Sequence, residues 1–505
     1  MLLGIDIGTS GTKTVLFDDA GRPLASRTAE YPLYQPQNGW AEQDPEDWWR
    51  AAAEGIRAVL AAVPEARRQI RGVGLSGQMH GLVLLDADGR PLRRSIIWCD
   101  QRTGRECEQM KRAVGERRLI EISANPATTG FTAAKILWVQ NHEPELYARC
   151  AHILLPKDYV RFRLTGEYAT EVSDASGMQL MDVGKRAWSP ELLEAFGIDS
   201  RLLARLYESP DVTGTVHARA AEETGLPAGV PVVGGAGDNP AAAVGTGVVR
   251  QGAAFNTIGS SAVIYAVTDE LKLDRKGRVH SLCASAPGKW TVMSCTQGAG
   301  LSLKWLRDTC CAPEVEQAAR EGVDPYVVMD RLAAGAPVGA DKLLFLPYLM
   351  GERSPHPDPL CRGVFFGLSA RHGRGSLIRA VMEGVAYSQR ECLDVFREMG
   401  VPVERMTVCG GGSRSPLWRQ MLADLYGCPV RTLQADEGGA LGAALLAGVG
   451  AGVYGSVGEA CDAVVRYRPP VNPSADAPAY EPYYKLYRRL YPLLKDSFAG
   501  LASIC

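Results

Sequence analysis

Short apolar runs alternate with stretches of helical periodicity along the whole chain, a pattern that predicts an α/β fold. The amino-terminal part predicts three strands separated by tight turns, at residues 2–7, 12–17 and 23–28. A helix is then predicted to begin at Asp44 and Pro45. Asp is a favoured N-cap residue, and Pro fits the first turn of a helix.

The strand–turn–strand layout occurs a second time. Residues 251–267 repeat the arrangement of apolar run, Gly/Ser turn and apolar run that opens the chain. Two hairpins of one design predict a duplicated architecture, with one copy in each half. We expect the boundary between the halves in the segment 244–252, which glycines interrupt.

Two further glycine-rich segments follow apolar strands. Residues 404–409 predict a strand that leads through Gly410, Gly411 and Gly412 into a helix capped by Ser415. Residues 230–233 predict another strand, followed by the glycine-rich segment 234–237 and a helix of small residues. Backbone N–H groups at such strand–loop–helix junctions can face a bound anion, so both junctions are candidate ligand sites.

Composition and charge narrow the class of protein. The 505 residues include 55 Lys and Arg against 57 Asp and Glu, without a basic stripe, so nucleic acid is not an expected partner. The 13 cysteines lack metal-type spacing, which indicates reduced thiols. The uncharged segment 438–457 contains seven glycines, which favours a close-packed internal helix over a membrane span. The first residues lack signal-peptide features, so we expect a cytoplasmic protein.

The turns of the two hairpins are candidate phosphate sites. Glycines and hydroxyl residues at 8–11, and Gly259 with Ser260 in the second turn, allow close approach of the backbone to an anion. Asp6 ends the first strand and is suited to hold a water of hydrated Mg²⁺. Other nucleotide motifs do not fit: the chain has no P-loop pattern, and the GxGxxG at 72–77 leads into an apolar run and a turn rather than a helix.

Asp238 has two interpretations from local sequence. It follows a glycine-rich strand end and precedes a helix, so it is a candidate N-cap. The same position at the mouth of a crevice suits an acid that accepts a proton from a substrate hydroxyl. The local residues leave both open.

The motifs together resemble those of the FGGY family of carbohydrate kinases, over nearly the whole chain. The matching segments are residues 4–13, 76–81, 97–102, 130–138, 154–159, 234–239, 351–356 and 410–415. One departure stands out: the family usually has Gly-Thr-Ser-Gly in the second phosphate turn, and here Ala262 replaces the last glycine. Ala there is unfavourable if its φ is positive, which affects the fine geometry of the turn.

The resemblance implies a duplicated ribonuclease-H-like fold of the actin and hexokinase type, with two domains and a central cleft. It implies that residues 1–248 hold the sugar and 249–505 the nucleotide, with ATP and Mg²⁺ required. Asp238 is then the general base and Asp6 the carboxylate on the Mg²⁺ side. The residues expected to bind the nucleotide are Thr9, Ser10, Lys13, Gly259, Ser260, Gly410, Gly411 and Gly412. Those expected to bind the sugar are Met79, His80, Trp98, Asp100 and Asn239.

Within the family, the segment 78–81, Gln-Met-His-Gly, favours D-xylulose over glycerol or gluconate as the sugar whose terminal hydroxyl is phosphorylated. Another ketose or polyol is the nearest alternative. An actin-like ATPase switch and a catalytically silent sugar sensor are alternatives of other classes. A switch should turn over ATP regardless of sugar, and a sensor should have lost Asp238. A sugar and ATP are the expected partners, no membrane contact is expected, and a homodimer is left open.

Overall fold

The computed structural model describes residues 1–435 and 437–504. Its first half contains the strands β1 (Leu2–Ile7), β2 (Gly11–Phe17), β3 (Pro23–Glu30), β4 (Glu42–Gln43), β5 (Gly72–Gly77), β6 (Val83–Leu85), β7 (Ser95–Ile96), β8 (His152–Leu154), β9 (Ala169–Glu171), β10 (Met181–Asp182), β11 (Ala187–Trp188), β12 (Arg205–Tyr207), β13 (Val212–Thr215), β14 (Pro231–Val233) and β15 (Ala236–Gly237). The second half contains β16 (Gly252–Ile258), β17 (Ala262–Thr268), β18 (His280–Cys283), β19 (Trp290–Thr296), β20 (Leu344–Leu346), β21 (Val364–Phe366), β22 (Val403–Cys409) and β23 (Val430–Arg431).

Helices connect and cover the strands. Those of the first half are α1 (Pro45–Ala62), α2 (Ala66–Gln69), α3 (Gly104–Val114), α4 (Glu116–Ser123), α5 (Thr132–His142), α6 (Pro144–Tyr147), α7 (Pro156–Thr165), α8 (Val172–Ala175), α9 (Pro190–Ala195), α10 (Ala218–Thr224) and α11 (Asp238–Gly245). Those of the second half are α12 (Gly300–Cys310), α13 (Ala312–Glu321), α14 (Pro325–Ala334), α15 (Arg374–Glu398), α16 (Pro416–Tyr426), α17 (Gly438–Gly450), α18 (Val457–Val464) and α19 (Glu481–Ala502).

The two main sheets share one topology. In the first, the strand order β3-β2-β1-β5-β14 has antiparallel pairs at β3-β2-β1 and parallel pairs at β1-β5-β14. In the second, β19-β17-β16-β22-β23 repeats the same order and the same strand directions. The duplicated architecture expected from the two hairpins is therefore present, and its strand order is that of the ribonuclease-H-like fold.

The two halves are joined by the packing of α11 against α17. A Cβ atom on Gly442 of α17 would lie 1.9 Å from the carbonyl oxygen of Ala241 in α11, so only glycine allows this approach. The opposite side of α17 packs on the sheet of the first half, where a Cβ on Gly74 would lie 1.9 Å from the carbonyl oxygen of Ala443. The segment 438–450 is thus the close-packed helix expected from its composition, although it packs on a sheet built from the other half of the chain.

The local predictions at helix ends are confirmed. The Asp44 side chain accepts a hydrogen bond from the backbone N–H of Glu46. The Ser415 hydroxyl accepts one from the N–H of Trp418 at 2.9 Å. Among the described residues, no helix combines the length and the apolar character needed to cross a membrane.

Candidate active site

The site forms where parallel strands of the first sheet end together. Asp6 of β1 and Ala236 of β15 both lie opposite Ser76 of β5 in the sheet register. The residues that follow β5 and β15, including His80 and Asp238, therefore emerge at the same edge as Asp6. Ligands of open α/β sheets bind at this carboxyl edge of the strands.

Asp238 is the first residue of α11, and Gly237 occupies the N-cap position before it. The Asp238 carboxylate accepts hydrogen bonds from the backbone N–H of Asn239 at 2.7 Å and from the Asn239 side-chain amide at 2.9 Å. Burial, and then the negative charge of Asp6, raise the pKa of Asp238 to about 7. This geometry does not match the N-cap interpretation, and it suits a general base that works near neutral pH.

Asp6 offers one free carboxylate oxygen to the cleft. The Ser76 hydroxyl donates to Oδ1 at 2.7 Å, whereas Oδ2 accepts no hydrogen bond from the described residues. Burial raises the pKa of Asp6, against opposing contributions from Ser76 and from the charge of Lys13. A Cβ on Gly439 would lie 3.0 Å from Oδ2, so glycine leaves open the space in front of this oxygen.

The residues present fit a hydrated Mg²⁺ ion. Within residues 1–435 and 437–504 there is no group of three or more His, Cys, Asp or Glu side chains arranged to hold a metal. Mg²⁺ needs no such cage, because it keeps several waters and takes one or two carboxylates. The open oxygen of Asp6 is available for such a role, directly or through a water.

The first phosphate turn is closed by a hydrogen bond from the N–H of Gly8 to the carbonyl of Gly11 at 3.0 Å. The turn is also held from outside, because the Gln43 side chain donates to the carbonyl of Thr9 at 2.6 Å. Ser10, at the tip, is exposed. Lys13 lies nearby and forms an ion pair of 2.6 Å with Glu437, which precedes α17. Lys13, which was predicted to bind the nucleotide, thus forms an ion pair with a residue of the other half of the chain.

The second candidate phosphate turn is one residue shorter than the first, because Ile258 pairs with Ala262 whereas Ile7 pairs with Thr12. The N–H of Gly259 donates to the carbonyl of Ser261 at 2.9 Å, and the N–H of Gly300 donates to the carbonyl of Gly259 at 2.8 Å. Gly259 and Ser260 are exposed. Ala262 begins β17 and does not have a positive φ, so the departure from the family's glycine introduces no backbone strain.

A cavity of about 750 Å³ opens beside the second turn. Its lining includes Gly259, Ser260, Gly411 and Gly412, all expected at the nucleotide. Gly410 is not in the lining but has a φ of 75° and forms the turn beneath it. The sequence did not predict the rest of the lining, which includes side chains from α12, α14 and α16: Leu303, Lys304, Tyr326, Val327, Asp330 and Trp418.

His80 is held in one orientation. Its ring stacks on Phe131 with centroids 4.1 Å apart, and its Nδ1 lies 3.2 Å from the carbonyl oxygen of Gly177. A carbonyl only accepts, so Nδ1 carries the proton. Burial lowers the pKa of His80 well below its usual value, which keeps the ring neutral. Nε2 is then an acceptor. Nε2 is the ring nitrogen left for a ligand, and in this tautomer it accepts a hydrogen bond from the ligand rather than donating one.

The other predicted sugar residues lie in different settings. The indole N–H of Trp98 donates to the hydroxyl of Thr9 at 2.9 Å, and the ring is 38% exposed, so it is open to a ligand. Met79 is buried, and a Cβ on Gly237 would lie 2.6 Å from its Cγ, so Met79 supports the strand end that carries Asp238.

Asp100 is fully buried, and its carboxylate is already engaged. It accepts from the N–H of Ala41 at 2.6 Å and forms a bidentate ion pair with Arg102. Both carboxylate oxygens of Asp100 are thus engaged within an internal network, so the residue predicted to bind the sugar has no unpaired oxygen to offer it. Phe131 and Gly177, which hold His80, were missed because their contact depends on tertiary packing.

The fold and the site together define a kinase of small carbohydrates. The N-terminal domain model of the FGGY family of carbohydrate kinases matches residues 1–245, and the C-terminal domain model matches residues 254–451, so the chain belongs to this family. The chain is 39% identical to the xylulose kinase of Escherichia coli over 97% of its length and 98% of that protein. It is 37% identical to the xylulose kinase of Bacillus subtilis, covering 99% of each. The crystal structure of xylulose kinase from Rhodospirillum rubrum matches with a TM-score of 0.92 and 31% identity over 99% of each chain.

Proposed function

We propose that this carbohydrate kinase transfers the γ-phosphoryl group of ATP to the terminal hydroxyl of D-xylulose, giving D-xylulose 5-phosphate. The observation that carries the proposal is the position of Asp238, which begins α11 at the carboxyl edge of the first sheet and accepts two hydrogen bonds from Asn239. Burial and the charge of Asp6 raise its pKa to about 7. The named relatives, which match over nearly the full chain, support the choice of sugar.

Asp238 accepts the proton of the sugar hydroxyl as its oxygen attacks the γ-phosphorus. The bond from the γ-phosphorus to this oxygen forms while the bond to the bridging oxygen of ADP breaks. Asn239 orients Asp238 through its two hydrogen bonds. Thr9, Ser10 and Ser260 provide backbone N–H and hydroxyl donors on the two phosphate turns, whereas the N–H of Gly259 closes the second turn and its missing side chain lets a phosphate approach the backbone. No protein nucleophile is required, because positioning and charge stabilisation carry the transfer.

Asp6 is the proposed carboxylate for Mg²⁺. When bound, Mg²⁺ neutralises charge on the phosphate oxygens. Residues 1–248 are proposed to hold the sugar, with Met79 supporting and His80, Trp98 and Asn239 contacting it. Residues 249–505 are proposed to hold the nucleotide, with Gly410, Gly411 and Gly412 beneath it. A cytoplasmic location is also proposed, and the cysteines without metal-type spacing support it. Sedimentation at several concentrations would show whether the protein is a homodimer.

An ADP-release assay tests the function with D-xylulose, D-ribulose, L-ribulose, gluconate and glycerol as acceptors. We expect the highest kcat/KM with D-xylulose and little ADP release without sugar. A higher kcat/KM with gluconate or glycerol would contradict the assignment of the sugar. ATP turnover that does not respond to any sugar would instead favour an ATPase switch.

A further inference from the structure

Lys135 is a fully buried lysine that forms no ion pair with a carboxylate of the described residues. Its Nζ donates to the backbone carbonyl oxygens of His80 and Gly130, both at 2.7 Å. Burial lowers the pKa of Lys135 to about 7. The neutral amine retains two N–H bonds, one for each carbonyl, so both contacts persist whichever form is present.

A buried amine of this kind is costly to the fold unless its hydrogen bonds are made. The carbonyl that Lys135 holds belongs to an unusual residue, because His80 has a φ of 69°, in the region that favours glycine. The hydroxyl of Thr132 donates to the same carbonyl at 3.2 Å. Two side chains from the first turn of α5 therefore hydrogen-bond to His80 and stabilise a backbone conformation that a histidine seldom adopts.

The carbonyl of Gly130, the second acceptor of Lys135, connects the amine to the segment that contains Trp98. Gly130 precedes α5, and a Cβ atom on it would lie 2.9 Å from the carbonyl oxygen of Trp98. The loop whose Gly130 carbonyl accepts the hydrogen bond from Lys135 thus packs directly against the backbone of Trp98. Lys135 therefore bonds directly to the His80 backbone and, through Gly130, to the segment that lies against Trp98. His80 and Trp98 are two of the three side chains proposed to contact the sugar.

We propose that Lys135 is a positioning residue for the sugar, which fixes the His80 backbone and so aims the His80 imidazole into the cleft. It acts through His80 and touches no substrate. The proposal rests on the proposed sugar kinase function, but the two are tested separately. Turnover of D-xylulose by the wild-type enzyme tests the function, and the variants below test Lys135 with whichever sugar the wild-type enzyme accepts.

Lys135→Met keeps an unbranched side chain, one atom shorter, and removes both hydrogen bonds of the amine. We expect the KM for the sugar to rise about tenfold, while the KM for ATP changes less than twofold. Ile136→Val is the matched control, because Ile136 is the next residue of α5, is fully buried and packs in the core. It should lower the melting temperature and leave both KM values unchanged. An equal rise in both KM values for Lys135→Met would overturn the proposal.

A double-mutant cycle with His80→Ala provides the decisive readout. If Lys135 acts through His80, Lys135→Met should raise the sugar KM little further once His80 is alanine. Additive effects of the two changes would overturn the proposal. Lys135→Gln, whose amide can still donate, covers the case in which the Met variant does not fold. Lys135→Gln should raise the sugar KM less than tenfold and leave the ATP KM unchanged. A folded Gln variant that raises both KM values equally would overturn the proposal.

Discussion

Asp6 and Asp238 lie close enough for the charge of one to act on the other: the pKa of Asp238, raised first by burial, is raised further by the negative charge of Asp6 and reaches about 7. A general base must be deprotonated, so kcat/KM for the sugar should fall as the pH drops through this value. Asp6→Asn removes the negative charge, so the acidic limb should move to lower pH. A pH profile of both enzymes checks this. A limb that stays in place in Asp6→Asn would show that the two carboxyl groups do not interact.

Asp238→Ala should reduce kcat by about 10²–10⁴-fold, because loss of a positioned base typically has that effect. ATP binding, measured by calorimetry, should be nearly unchanged. Asn239→Ala removes the amide donor and leaves the carboxylate, so its loss of activity should be smaller. If Asp238→Ala retained wild-type turnover and only melted at a lower temperature, Asp238 would have a purely structural role.

Asp6→Asn should lower turnover more than sugar affinity, because the free oxygen of Asp6 faces the proposed metal and not the sugar. Raising the Mg²⁺ concentration should recover part of the activity. Titrations of Mg²⁺ at fixed ATP, together with the sugar KM, measure both effects. A loss confined to sugar affinity would place Asp6 in the sugar pocket.

Gly177→Ala should raise the sugar KM several-fold, because the new Cβ would lie 2.2 Å from Nδ1 of His80 and push the ring from its position. Gly104→Ala is the control, since a Cβ there meets nothing within 4 Å. The KM for ATP should not change in either variant. Gly177→Ala with an unchanged sugar KM would show that the ring orientation does not matter for binding.

Gly442→Ala should lower the stability of the protein by about 1–3 kcal/mol, because the added methyl group overlaps the α11 backbone and forces the two helices apart. Gly500→Ala in α19 is the control: nothing lies within 4 Å of its Cβ position, so the change should be neutral or slightly stabilising. Thermal unfolding of both variants measures the difference. Equal melting temperatures of the two variants would show that α17 can shift away from α11 without loss of stability.

The sequence alone predicted the elements whose causes are local. The hairpins at β1-β2 and β16-β17, the N-caps Asp44 and Ser415, and the strand before Gly410 all depend on neighbouring residues, which is why they could be read from the chain. The absence of a helix after the GxGxxG at 72–77 was predicted in the same way, and the chain there continues into β6. The motifs, taken together, also indicated the family.

The tertiary structure decided which neighbours each side chain meets. Asp100 was expected to bind the sugar, but Arg102 and the backbone N–H of Ala41 engage its carboxylate in the interior. The tautomer of His80 depends on Gly177, which lies far along the chain. The helix α17 packs on the sheet of the opposite half. Local sequence determines backbone preference and periodicity, whereas hydrogen-bond partners and burial depend on residues that only folding brings together.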